Sequence, residues 1–236
     1  MQYTSALADD AVKTGDIRLH GQEGFAGMRR AGRLAAECLD MIADHVRPGV
    51  TTARLDDLIR EFVFGHGALS ATIGYRGYRH ASCISLNHVI CHGIPSEKTL
   101  KDGDILNIDV TVIVDGWHGD TSRMYSVGEV KRKGTRLMDV TYECMMKGIS
   151  AIKPGARLGD IGAAIQEHAE RQRYSVVEAF CGHGLGRVFH DSPNILHFGK
   201  RGQGQPLLPG MIFTVEPMTT SPLSGCSLPA MSLKSV

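Results

Sequence analysis

The sequence predicts an α+β fold in which antiparallel strands are covered on one side by helices. Three observations predict it. A helix pair interrupted by Pro-Gly occurs twice, at Pro48-Gly49 and at Pro154-Gly155. Two apolar or β-branched runs flank Asp115-Gly116, a dipeptide that favours a tight hairpin. Short strand-like runs follow the second helix pair as well.

Residues 1–22 are polar and unpatterned and read as a loosely held arm. Over 23–46, Met28, Ala31, Leu34, Ala35, Cys38, Leu39, Ile42 and Val46 recur at helical spacing. Arg47-Pro48-Gly49 ends that helix, because the residue before proline leaves the α region. Thr51 or Thr52 can cap a second helix carrying Leu55, Leu58, Ile59 and Phe62, closed by Gly65 and Gly67. Strands are expected at 83–90 and 105–114, with a return strand at 117–127. Helices at 134–152 and 158–173 follow, then strands at 175–180 and 211–215 around a glycine-rich loop at 199–204.

A gap-free shift of 106 positions lays Glu37-Cys38 on Glu143-Cys144, Pro48-Gly49 on Pro154-Gly155, Leu55 on Ile161 and Ile59 on Ile165. This suggests two related halves, about 23–130 and 131–217, with a site between them. The expected organisation is an arm (1–22), one domain (23–217) and a tail (218–236).

Composition narrows the function. Lys and Arg number 26 against 25 Asp and Glu, a net charge of +1, so no electrostatic footprint for nucleic acid or an anionic membrane exists. No run approaches a membrane span, and the N-terminus lacks an apolar signal region. Six cysteines without a CxxC pair read as free thiols in a reducing compartment, hence a cytoplasmic protein.

Asp109 lies inside the apolar run 105–114, where a carboxylate is costly unless paired or metal-bound. With the turn at Asp115-Gly116, facing residues have numbers adding to about 231, so Asp109 faces position 122 and Asp120 sits one diagonal step away on the same face. Two converging carboxylates suit a divalent cation. His183 is bracketed by glycines in Cys181-Gly182-His183-Gly184, and His190 follows Phe189. Glu216 ends the apolar run before Pro217, and His92 leaves the strand before Gly93-Ile94-Pro95. Asp109, Asp120, His183 and Glu216 thus read as ligands of a hydrolytic metal centre.

In this order, CHGIP, NIDV with HGDTS, GHGLG with FH, and FTVEP resemble the motifs of the type I methionine aminopeptidases, metallopeptidases of the pita-bread (creatinase/aminopeptidase-like) fold. The resemblance runs over residues 24–217. It implies that Asp109 chelates one metal, that Asp120 bridges two, and that His183 and Glu216 complete the second site. It implies that His92 bonds the scissile amide region and His190 positions the substrate carbonyl. It implies a methionine pocket lined by Tyr75, Tyr78, Cys83 and Phe189, with Thr72 at its border. The implied reaction is hydrolytic removal of the initiator methionine from nascent chains with a small second residue. The implied cofactor is a divalent cation (Co, Mn, Fe, Zn or Ni), two per chain in the family. The implied partners are nascent N-termini, with transient ribosome contact and a monomeric state.

One departure stands out. The family places a fifth, bridging Glu on a later strand, beyond a Trp-bearing loop. Residues 218–236 contain no Asp, Glu or His, and the one Trp is Trp117. This leads to an expectation of one tightly held cation and reduced activity. The alternative is an impaired relative that binds chain N-termini without turnover. A creatinase or prolidase relative is a third reading, disfavoured by the His-bearing loop motifs.

Overall fold

The computed structural model describes residues 1–5 and 13–221. In chain order the elements are β1 (Tyr3–Ser5), β2 (Ile17–Leu19), α1 (Gln22–Ala43), α2 (Thr52–Gly65), β3 (Leu69–Ser70), β4 (Ser82–Leu86), β5 (Ile105–Val114), β6 (Trp117–Ser126), α3 (Arg132–Ser150), α4 (Leu158–Arg171), β7 (Ser175–Val176), β8 (Gly182–Gly184), β9 (Asp191–Ile195) and β10 (Thr219–Thr220). This is an α+β architecture, as expected.

β5 is the centre of a four-stranded sheet, with β6 on one edge and β4 and β3 on the other, all antiparallel. Asp115 (φ 51) and Gly116 (φ 79) make the two-residue turn, and positive φ at both is what a type I′ hairpin needs. The facing pairs run from Ile105–Ser126 to Val114–Trp117, so the expected register is the observed one.

Alternation divides the two faces of this sheet. Leu106, Ile108, Val110 and Val112 of β5, with Ile84 and Leu86 of β4, join Ala35, Cys38, Leu39 and Ile42 of α1 and Leu55 and Ile59 of α2 in one buried cluster. At Gly119 on β6 a Cβ would come 2.2 Å from the Ala31 carbonyl oxygen, so only glycine lets α1 press this close. The other face of β5 carries Asn107, Asp109 and Thr111 away from those helices.

A second cluster gathers Val140 and Cys144 of α3, Ile161, Ile165 and Ala169 of α4, Tyr174 and Ile195, with Phe213 and Val215 packed against it. Each helix pair turns on a glycine of positive φ, Gly49 (φ 91) and Gly155 (φ 82). Thr51 caps α2 by accepting the Arg54 amide. At the start of α4 the Asp160 carboxylate accepts the Arg157 amide, whereas the Arg157 guanidinium, a donor only, cannot accept a return bond and donates to Gly204 O at 2.8 Å.

Several expectations need correcting. Residues 1–22 are not a loose arm where they are described. β1 and β2 pair in parallel, Ile17 is buried, and the His20 amide donates to Gly210 O. A three-residue strand, Ile17-Arg18-Leu19, is too short for a periodicity reading to pick out. Residues 211–215 do not form a strand. They carry one antiparallel bridge, Phe213 to Gly184, closed by the Thr214 amide on His183 O and the Leu185 amide on Ile212 O, and the pairing goes no further than that bridge. The strand expected at 175–180 shortens to β7, and β9, which contains Pro193, was not foreseen.

Of the tail expected at 218–236, Thr219 and Thr220 pair with Val176 and Ser175, and Thr219 bonds Thr141 of α3. Residues 222–236 lie outside the described residues. Cys38, Cys83, Cys91, Cys144 and Cys181 are free thiols, and Cys226 falls outside the described part. Among the described residues no helix is long and apolar enough to cross a membrane.

Candidate metal centre

The hairpin supplies two carboxylates. Asp109 faces Ser122, and Asp120 faces Thr111, whose hydroxyl donates to Asp120 Oδ1 at 3.0 Å. Cys83 on β4 lies directly opposite Asp109 and so shares its face.

The region after α4 supplies the other two candidates. His183 sits in β8, whose backbone is held by Thr214. The Thr214 amide donates to His183 O at 2.9 Å, and the His183 amide donates to Thr214 Oγ1 at 3.0 Å. The same hydroxyl donates to Glu216 Oε1. The Glu216 amide donates to Nε2 of the fully buried His197 at 3.2 Å. Burial pushes His197 down to about 4, so its Nε2 stays an acceptor. Thr214 and His197 thus hold the acid and the imidazole in mutual reach.

His183 Nδ1 lies 3.0 Å from Gly184 O, an acceptor, so Nδ1 carries the proton. The Nε2 lone pair therefore looks into the centre, 3.4 Å from Asp120 Oδ2 and 3.7 Å from Glu216 Oε1. A lone pair facing two carboxylates repels them unless a proton or a cation lies between. The charges register this. Desolvation, then Asp120 and Glu216, push Asp109 well above the usual carboxylate range. Desolvation and then Asp120 push Glu216 up to about 7, although its side chain is 34% exposed. Desolvation opposes a charged His183, yet Asp120, the Gly184 carbonyl and Glu216 outweigh it and the net shift is upward.

Two aspartates, a glutamate and an imidazole fixed through its second nitrogen fit a divalent transition cation. The side chains converge pairwise: among the described residues no three His, Cys, Asp or Glu side chains stand in a ready-made coordination shell. The donor chemistry fits; drawing the four groups onto one ion takes side-chain adjustment.

Aromatic rings and further histidines wall the centre. The His190 ring lies 4.3 Å from His183, 5.2 Å from Tyr75 and 4.0 Å from Phe189. Tyr75 and Phe189 lie 5.1 Å apart. Burial and then the neighbouring His183 push His190 down to about 4, and its Nδ1 is buried without a hydrogen-bond partner among the described residues. His92 has positive φ (54) and meets Phe180 edge-on at 5.4 Å; burial lowers it too. Tyr78 donates to Ser82 O, and Thr72 donates to His80 O, which ties the Thr72 hydroxyl into the loop. An open cleft of about 490 Å³ beside Leu86, Asn87, Lys98 and Asp104 includes none of these residues. The chemistry lies elsewhere.

The model of metallopeptidase family M24 matches residues 26–229. The chain is 58% identical over 202 residues to a methionine aminopeptidase of Rickettsia prowazekii, covering 86% of this chain and 78% of that one. The chain belongs to metallopeptidase family M24, among its methionine aminopeptidases. The Escherichia coli K12 methionine aminopeptidase is 49% identical over 207 residues, covering 87% of this chain and 78% of its own. The crystal structure of the Rickettsia prowazekii enzyme superposes with a TM-score of 0.85, covering 86% and 82% of the two chains. The Pyrococcus furiosus prolidase, at 21% identity and a TM-score of 0.75 over 89% and 60%, shares the fold alone. As a member of this family the chain is a metal-dependent hydrolase.

Within this M24 site, sequence reading missed several supports. His118 stacks on Phe189 (5.7 Å, 11°) and approaches Gly186 O with Nδ1 at 3.0 Å. His197 and Thr214 have no local signature, since their partners lie on other segments. Asp56 is buried beneath β4 and accepts from the Ser82 amide and hydroxyl at 2.8 and 2.7 Å. A buried acid seven residues before Val63 in a helix pattern was a usable clue.

Proposed function

We propose that this chain hydrolytically removes N-terminal methionine from polypeptides whose second residue is small. The observation that carries the reading is the His183 lone pair aimed between Asp120 and Glu216 in a buried centre. The names of the relatives favour turnover over the binding-only alternative.

Asp120, His183 and Glu216 would hold a cation, and Asp109 would complete a second, weaker position. Co, Mn, Fe, Zn and Ni all suit this donor set. When bound, the cation supplies Lewis acidity toward the scissile carbonyl and a nucleophilic water at neutral pH. His190, neutral and with its Nδ1 without a hydrogen-bond partner among the described residues, would hydrogen-bond the substrate carbonyl. Neutral His92 would bond the amide region. Tyr75, Tyr78, Cys83 and Phe189 would enclose the methionine side chain, a thioether suited to polarizable and aromatic walls.

The substrates would be nascent chain N-termini met in the cytoplasm, with transient ribosome contact, by a monomer. The test is cleavage of Met-Ala-Ser after loading with Mn(II) or Co(II), paired with calorimetric titration. Cation-dependent methionine release with one tight site is the expected result. Release of proline-linked dipeptides instead, or no release at any loading, overturns the reading.

A further inference from the structure

A buried ion pair ties the N-terminal strand to the strand that follows His190. Arg18 Nη1 lies 3.2 Å from Asp191 Oδ2, and the two side chains are 4% and 6% exposed. A guanidinium–carboxylate pair this deep is costly to desolvate, so its presence is a weak sign of stabilisation. Its position is informative. Asp191 is the residue after His190 and opens β9, and its Cα faces Gly184, the residue after His183. Its second oxygen, Oδ1, accepts the Ser192 amide at 2.9 Å.

The two histidines are secured differently. β8, with His183, is held by Thr214 and by the Leu185 amide donating to Ile212 O. Beside His190 the ladder is interrupted: Asp191 pairs with Gly184, but the β8–β9 register breaks between His183 and Gly184. Arg18 itself is fixed, since β2 pairs with β1 and His20 is held at Gly210.

We infer that Arg18 is a positioning residue for the aminopeptidase reaction, setting His190 against the substrate through Asp191. The kinetic readout rests on the proposed function; the spectroscopic one does not. Arg18→Met is expected to lower kcat about tenfold to a hundredfold, the effect of a small displacement of an aligned group, with KM and Mn(II) affinity little changed. Arg18→Lys, which keeps the charge and loses the fork, is expected to recover part of that loss. The double variant Arg18→Met/Asp191→Asn carries no orphan charge. It is expected to fold where the single variant fails and still to show the low kcat.

In histidine-labelled protein, the His190 imidazole nitrogens are expected to shift in Arg18→Met while those of His197 stay. Wild-type kcat in a folded double variant overturns the inference, as does a kcat loss matched by lost Mn(II) binding, or an unmoved His190 signal. If wild type releases no methionine, the functional reading falls, and the His190 signal alone decides the role of Arg18.

Discussion

β5 and β6 pair without interruption from Ile105–Ser126 to Val114–Trp117, whereas β8 and β9 pair at three positions with a break between His183 and Gly184. Both regions deliver two candidate ligands to one centre. In the hairpin, alternation and register place Asp109 and Asp120, so aiming them needs no added device. In the irregular region each ligand needs its own brace: Thr214 for His183 and Glu216, and His197 for the Glu216 backbone. Ligands on a long ladder tolerate loss of a neighbour; ligands on short strands depend on particular side chains.

The largest expected effect lies where the regions meet. If Asp120 holds the cation with His183 as proposed, Asp120→Asn should lower kcat/KM by about three orders of magnitude or more. Asp109→Asn should lower it less if one tight cation suffices. Equal losses would show that both carboxylates serve the same essential ion. Protons compete for this centre. Without a cation, Glu216 is raised from 4.5 to about 7, so the folded state binds the proton more tightly than the unfolded one. That contribution to stability is full below the unfolded value and is lost as pH rises toward about 7. A cation takes the proton's place. Mn(II) should therefore raise the melting temperature more at about pH 8 than at about pH 6, by differential scanning fluorimetry. A pH-independent rise would remove Glu216 from the ligand set.

The two buried clusters allow a stability comparison. Ile59 under the hairpin sheet and Ile165 in α4 are both fully buried. Ile59→Ala and Ile165→Ala should each destabilise by about 2–5 kcal/mol. Urea unfolding can be followed by the emission of Trp117, the one Trp, which opens β6 of the hairpin sheet and carries Arg187 over its ring. If both variants shift that transition equally, the clusters unfold as one unit. An unshifted Ile165→Ala transition would make them separate.

Thr214 carries the next effect. Its hydroxyl accepts the His183 amide and donates to Glu216, so Thr214→Val leaves both ligands without their brace. Braces of this kind are worth about 10- to 100-fold in metal affinity or activity. On the hairpin, Thr111→Val removes only the bond to Asp120 Oδ1, and the ladder remains. Calorimetric Mn(II) affinities should fall clearly for the first and little for the second.

The same contrast explains what could be read from the chain. A two-residue turn fixes register, so the facing of Asp109 and position 122 follows from Asp115-Gly116 alone. The four candidate ligands are legible because acids and a glycine-bracketed histidine inside apolar runs need a reason to be there. Thr214, His197 and Arg18 are not legible: their meaning lies in partners up to 173 positions away, as Arg18 and Asp191 illustrate. Residues 211–215 look like a strand by composition, yet their pairing with β8 is limited to one bridge, a length set by a distant segment.

The smallest effect compares the starts of α2 and α4, two helices in equivalent places after a Pro-Gly turn. α2 is capped by a neutral group, the Thr51 hydroxyl, and α4 by a charged one, Asp160, which accepts the Arg157 and Gly202 amides at 2.7 Å each. Those amides hold the Asp160 carboxyl below its ordinary value. A depressed carboxylate contributes stability above its unfolded pKa and loses it as pH falls through the folded one. Thr51→Ala should cost about 1 kcal/mol at every pH. Asp160→Asn should weaken the fold at neutral pH, and its difference from wild type should shrink on acidification below about pH 4. Parallel urea titrations of both variants across pH read this directly. A constant Asp160→Asn difference would mean that the side-chain shape, and not its charge, caps α4.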